Sequence, residues 1–182
     1  MKEIKQIKQI KLLACDFDGV MTDNKVTVDE GGKESVICNR SDGLGIELLK
    51  KKGIEVIVIS KEKNNVVKAR CDKLKIQCIQ VINDKLSVLK KELAKRGISK
   101  EEACFVGNDI TDAECIRYAG IGVAVMDSYP EAKKAAEAPP VVKEVKKEEK
   151  PPKVIAAPAP VLPHGYAKSN APQEKPTNIF SI

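Results

Sequence analysis

A zinc centre has almost nothing to be built from in this chain, which holds one histidine, His164, and six cysteines, at positions 15, 38, 71, 78, 104 and 115, with no Cys-x-x-Cys pairing. The cysteines lie mostly in stretches that read as core elements, as reduced and buried thiols do. Long apolar runs are missing too. The longest are strand-length, far short of the roughly 20 residues of a transmembrane helix. The amino terminus has no secretory h-region, so a cytoplasmic protein without membrane contact is expected. The lead-in Met1–Lys11 sets Ile4, Ile7 and Ile10 among lysines. Three isoleucines bury too little area to hold a helix on a bilayer, and the segment reads as the approach to a first strand. A strong basic excess is lacking as well. Of the net charge of +6, residues 138–182 carry +3, as seven lysines against four glutamates, and residues 1–137 carry the rest. Neither part has the basic density of a nucleic-acid binder.

What is present changes character at Ala138. The chain's 182 residues, 42% of them hydrophobic, suffice for one domain and a tail. Nine of the ten prolines lie in 138–182, where apolar periodicity fades. That stretch is expected to be a disordered Pro/Lys/Ala-rich tail. Within it Lys143–Lys150 reads as a solvated linker and Asn178–Ile182 as a candidate docking motif. Residues 1–137 are expected to form the domain.

The run Leu12-Leu-Ala-Cys-Asp16-Phe-Asp18-Gly19-Val-Met-Thr22 ends an apolar stretch in two carboxylates one residue apart. Parallel strands buried on both faces read as near-continuous apolar runs, and ligands bind outside their carboxyl ends. Two carboxylates so close repel each other, and a hard cation with oxygen ligands, magnesium above all, would hold both ionised. An acidic turn after a strand reads the same way, since Asp-Gly is a common turn pair.

Three later segments repeat the pattern. Ile54-Glu-Val-Ile-Val-Ile59 runs into Ser60; Ile76–Ile82 is followed by Asn83-Asp84-Lys85 and a helical spacing of Leu86, Leu89 and Leu93; Ala103-Cys-Phe-Val106 runs into Gly107-Asn108-Asp109-Ile-Thr-Asp112. A lysine at a helix start could meet an anion. Singly, such a serine is an ordinary strand-end cap and such a lysine an ordinary solvated side chain. The order acid pair, hydroxyl, lysine, second acid cluster is the informative feature.

In that order and with those residue types, roughly residues 9–137 resemble the haloacid dehalogenase superfamily of phosphatases. Three stretches, Asp16–Asp23, Arg40–Ile46 and Gly107–Cys115, look like its small-capped group, which contains 3-deoxy-D-manno-octulosonate 8-phosphate phosphatase and the phosphatase-like domain of acylneuraminate cytidylyltransferases. The chain begins with its own methionine and has no room for a nucleotide-transferring domain, so it is not expected to make an activated sugar itself. The resemblance implies an α/β, Rossmann-like fold, a parallel sheet flanked by helices, with a small β-hairpin cap at about 24–38.

The resemblance also assigns roles. Asp16 would be the nucleophile that forms an aspartyl-phosphate, and Asp18 the acid and base. Ser60 and Lys85 would hold the phosphoryl group and, with Mg2+, offset its charge. The metal would be held by Asp16, Asp18 through its backbone carbonyl, and Asn108, Asp109 or Asp112. Many relatives have Gly-Asp-Asp where this chain has Gly107-Asn108-Asp109, so either Asn108 or Asp109 could be the direct ligand, with Asp112 on the water shell or on Lys85. Gly19, Thr22, Arg40, Asp42, Gly43 and Arg70 would face the substrate, a phosphorylated sugar acid whose carboxylate suits an arginine. Ser41 or Asp42 could equally cap the helix that follows. The hairpin, Lys25–Cys38 about Gly31-Gly32, packs between subunits in the resembling group, which implies a homotetramer.

Two departures stand out: Lys61-Glu62 replaces a common Gly-Arg, and the strand and arginine-containing loop that usually follow the last helix are absent. A non-catalytic oligomerisation module is the alternative of a different class, although such copies often lose the acid pair, which is intact here. A response-regulator receiver domain also places acids after its first strand, but its lysine follows its last strand, whereas here an acid cluster follows Lys85.

Overall fold

The structure, a computed structural model, describes residues 9–137. The expected tail, with His164, Lys143–Lys150 and Asn178–Ile182, lies outside the described residues, as does most of the lead-in. Among the described residues seven strands and five α-helices follow in the order β1 (Leu12–Cys15), β2 (Thr27–Val28), β3 (Glu34–Ser35), α1 (Arg40–Lys51), β4 (Glu55–Ile59), α2 (Asn65–Leu74), β5 (Gln77–Ile79), α3 (Lys85–Arg96), β6 (Ala103–Gly107), α4 (Ala113–Tyr118), β7 (Ile121–Ala124) and α5 (Pro130–Glu137). Five strands form a parallel sheet in the order β5-β4-β1-β6-β7.

Strand alternation sorts the core into two layers. Leu12, Ala14, Ile57, Ile59 and Phe105 face one way and pack on Leu89 and Leu93 of α3, Ala113, Cys115 and Ile116 of α4, and Ala132 and Ala135 of α5. Cys15, Val56 and Val58 face the other way, onto Ile46 of α1 and Val67 and Cys71 of α2. Both faces of the sheet are therefore covered by helices, as the unbroken apolar runs implied. All six thiols are free. Cys15, Cys71 and Cys115 are buried and the other three half-buried, and burial lifts Cys71 and Cys115 to about 12, out of the thiolate range.

Helix starts follow polar side chains. Asp84 caps α3, its Oδ1 accepting from the Ser87 N–H at 2.9 Å, and Asn64 caps α2 through Val66. At α1 the cap is Asn39, which accepts from the Ser41 N–H at 2.9 Å, not Ser41 or Asp42 as expected. The helix begins one residue before Ser41, which leaves Asn39 as the last extended residue. The hairpin forms where expected but is short: Thr27 pairs with Ser35 and Val28 with Glu34, and a Thr22–Cys38 bridge closes its base. Its Glu34 Oε2 accepts from Asn64 Nδ2 at 3.0 Å, which ties the hairpin to the loop after β4.

Because β1, β4 and β6 run parallel side by side, their carboxyl ends bring Asp16, Ser60 and Asn108 to one end of the sheet. Among the described residues no helix is long and apolar enough to cross a membrane. Phe105 lies in β6, fully buried. Phe105→Ala is expected to lower unfolding free energy by about 3–5 kcal/mol, read from urea denaturation.

Candidate active site

The site is built around a buried ammonium. Lys85, the first residue of α3, places its Nζ 2.8 Å from Asp16 Oδ2 and 2.8 Å from Asp112 Oδ1, and its side chain is 1% exposed. Asp112 is fully buried, and its other oxygen accepts from the backbone N–H groups of Asn108 at 2.9 Å and Asp109 at 3.1 Å. Asp112 thus holds Lys85 with one oxygen and shapes the loop after β6 with the other. Asp16 Oδ1 accepts from the Phe17 N–H at 2.8 Å.

Two carboxylates against one ammonium leave a surplus of negative charge. Burial pushes the Asp16 carboxyl up, to about 7; Lys85 opposes this and Asp112 adds to it. Burial disfavours the Lys85 charge, but Asp16 and Asp112 outweigh it and raise its pKa. Asp18, half-buried, is also raised, chiefly by burial and then by the Glu62 charge, with Lys85 acting against both. A raised carboxyl keeps a proton to give away.

The oxygen donors suit a small hard cation. Carboxylate oxygens of Asp16, Asp109 and Asp112 lie within 4.8 Å of one another. Asn108 is buried, and its Oδ1 is a buried acceptor without a hydrogen-bond partner among the described residues. Such an orphan is costly unless something binds it. Asp109 Oδ1, in contrast, already accepts from Thr111 N and Oγ1, both at 2.6 Å, and from Asp112 N at 3.2 Å. Asn108 Oδ1 is thus left open among the described residues, and Asp109 keeps its second oxygen.

These side chains line a cavity of about 260 Å³ that also contains Ser60, whose Oγ accepts from the Glu62 N–H at 3.1 Å. None of the residues expected at the substrate is among those lining this cavity. Gly19 sits against Asn108, at a φ of +75°, where a Cβ would come within 1.8 Å of Asn108 Nδ2. Thr22 fastens the loop, its Oγ1 accepting from Gly19 N at 3.0 Å and Asn24 N at 3.2 Å. Arg40 and Asp42 line a separate cavity of about 570 Å³ at the hairpin base. Gly43 lets α1 approach Leu74. Arg70 donates from Nη2 to the Asn39 carbonyl at 2.6 Å and is not among the residues lining the acid cavity. Four lining residues were not singled out as site residues: Asn24, Lys61, Glu62 and Tyr129. Lys61 and Glu62 directly follow Ser60, a signal the sequence offered. Tyr129 arrives only through the fold, its N–H donating to the Asn108 carbonyl at 2.8 Å.

Comparison with known proteins agrees with this geometry. The haloacid dehalogenase-like hydrolase family matches residues 44–148. The 3-deoxy-D-manno-octulosonate 8-phosphate phosphatase of Escherichia coli is 34% identical over 128 residues, covering 70% of this chain and 68% of that protein. The chain belongs to the haloacid dehalogenase-like hydrolases. The N-acylneuraminate cytidylyltransferase of Oncorhynchus mykiss is 30% identical over 123 residues, 65% of this chain but only 28% of that relative's length. Among solved structures, the octulosonate 8-phosphate phosphatase of Moraxella catarrhalis, in complex with magnesium, phosphate and KDO, superposes with a TM-score of 0.72 at 32% identity, covering 75% of this chain and 80% of that one. The hydrolase fold seen in those relatives is the parallel sheet and small hairpin described above.

Two substitutions test the site's construction. Lys85→Met strands two buried carboxylates, and the Asp16 carboxyl, already raised by burial, then rises further above its unfolded value of about 3.9. An acid that binds its proton more tightly when folded loses stability as pH rises through that interval. The deficit, about 3–5 kcal/mol near neutrality, is expected to shrink on acidification, as urea unfolding at two pH values would show. Gly19→Ala is expected to destabilise more than Gly32→Ala, because both glycines have positive φ but only Gly19 faces a neighbour within 4 Å. The difference in melting temperature measures the Asn108 clash.

Proposed function

We propose that this hydrolase is a magnesium-dependent phosphatase that cleaves a phosphorylated sugar acid, of the octulosonate 8-phosphate or acylneuraminate 9-phosphate type, through an aspartyl-phosphate. The observation that carries the reading is the buried Asp16, held 2.8 Å from Lys85 in a cavity shared with Asp18, Ser60 and Asn108. The names of the relatives point to the same substrate class.

An Asp16 carboxylate oxygen attacks phosphorus, and the bond from phosphorus to the sugar oxygen breaks. Asp18 gives its proton to that oxygen as it leaves. Water then attacks the aspartyl-phosphate, Asp18 takes the water's proton, and the bond from phosphorus to Asp16 breaks, which returns the carboxylate and frees phosphate. Ser60 and Lys85 hold phosphoryl oxygens while charge shifts among them. Magnesium, when bound by Asp16, Asn108, Asp109 and the Asp18 carbonyl, supplies the positive charge that lets a phosphate dianion approach a carboxylate. Asp112 serves Lys85 instead.

We read the protein as a cytoplasmic homotetramer. Val26, Val28 and Ile37, in and beside the hairpin, are 54%, 56% and 75% exposed, an apolar surface that association would cover.

Phosphate release with magnesium from octulosonate 8-phosphate, acylneuraminate 9-phosphate and a generic aryl phosphate tests the reading. One sugar acid ester is expected to turn over, and Asp16→Asn to cut that turnover by about a thousandfold or more. No release from any ester, with a stable oligomer in solution, would leave a non-catalytic assembly module.

A further inference from the structure

The acid cavity is graded from floor to rim. Asp16, Ser60, Lys85 and Asn108 are each 5% exposed or less and form its floor. Asn24, Lys61 and Tyr129 are exposed and Glu62 half-buried at its rim. Of the ten lining residues, Tyr129 alone carries an aromatic ring; the other nine are charged groups, amides or a hydroxyl.

Tyr129 is fixed by its backbone and open at its side chain. Its N–H donates to the Asn108 carbonyl at 2.8 Å, and its carbonyl accepts from Ala132 N at 3.1 Å and Lys133 N at 3.2 Å. Pro130 follows and opens α5 with a φ its ring has already set. Tyr129 is 51% exposed, and its phenol makes no hydrogen bond among the described residues. Tyr118 is different, since Lys90 and Lys100 lie over its ring at 5.1 and 5.9 Å. A ring whose main chain is locked to the floor, in a residue 51% exposed at the rim, is a preorganised contact with few rotatable bonds to immobilise.

In phosphoryl transfer the leaving oxygen lies roughly in line with the nucleophile, on the far side of phosphorus. With Asp16 on the floor, the leaving group extends toward the rim. A polyhydroxylated chain or ring presents C–H faces between its hydroxyls. The C–H faces need an apolar partner and the hydroxyls need amides or phenols; a tyrosine offers both.

We propose that Tyr129 is a specificity-determining residue whose ring packs against the carbon skeleton of the leaving group, which selects a carbohydrate-like phosphate ester over a small one. This rests on the phosphatase reading above. Because the contact is made away from phosphorus, it adds to the binding of substrate and transition state alike and shows in KM more than in kcat.

The test measures kcat and KM for the sugar acid phosphate that the wild type turns over and for acetyl phosphate, whose leaving group is too small to reach the rim. Wild type, Tyr129→Ala, Tyr129→Leu and Tyr129→Phe are compared. Ala and Leu are expected to raise KM for the sugar ester about tenfold with kcat nearly kept, to leave acetyl phosphate within about twofold, and Phe to retain most of the wild-type value. Leu and Phe keep the experiment decisive should Ala unfold. Equal losses on both substrates would place Tyr129 in support of the Asn108 loop and overturn the inference, as would no change on either. A wild type that hydrolyses acetyl phosphate but no sugar ester overturns the inference and the sugar acid substrate while leaving phosphatase chemistry standing. Hydrolysis of neither substrate overturns the inference and the phosphatase reading together.

Discussion

Lys85 carries its charge into a space where water scarcely reaches, and the remaining parts of the site are arranged to make that tolerable. An ammonium removed from water is stable only if its partners satisfy it fully. Asp16 and Asp112 take two of its three N–H groups at 2.8 Å each, from the end of β1 and from the loop after the neighbouring β6. Three segments distant in sequence are thereby fastened at one point, and the buried charges fix their register there.

That arrangement is unbalanced in charge by design of its chemistry. With two carboxylates to one ammonium, and Asp18 nearby raised by burial and Glu62, the site stays short of positive charge. A second cation would relieve the shortage, and the carboxylates of Asp16, Asp109 and Asp112 lie close enough together to hold one. Asp16 itself is held in place, accepting hydrogen bonds from the Phe17 N–H and from Lys85, so that in the proposed reaction it does not have to be ordered as it attacks.

Much of this was legible beforehand. The acid pair, Ser60, Lys85 and the Gly107–Asp112 loop each follow an apolar run, and a parallel sheet sends such run-ends to one edge. The weaker elements were not legible. β7 spans four residues with a glycine inside it, and α5 buries alanines in place of leucines, so neither gives a strong apolar period. The residues expected to face the substrate were reached by resemblance, and here Thr22 closes its own loop, Arg70 holds the Asn39 carbonyl, and Arg40 and Asp42 line another cavity.

By itself the sequence determined which side chains stand at strand ends, because run length and polarity are local properties that no packing reverses. Only the tertiary structure decided what those side chains do to one another. That Asp109 commits one oxygen to Thr111 and Asp112 while the Asn108 oxygen has no partner among the described residues depends on how the loop folds, and that Asp112 meets Lys85 depends on a helix docking from 27 positions earlier in the chain. Tyr129 reaches the rim for the same reason. Its place is set by one hydrogen bond to Asn108, a contact between residues whose spacing in the chain carries no periodic signal.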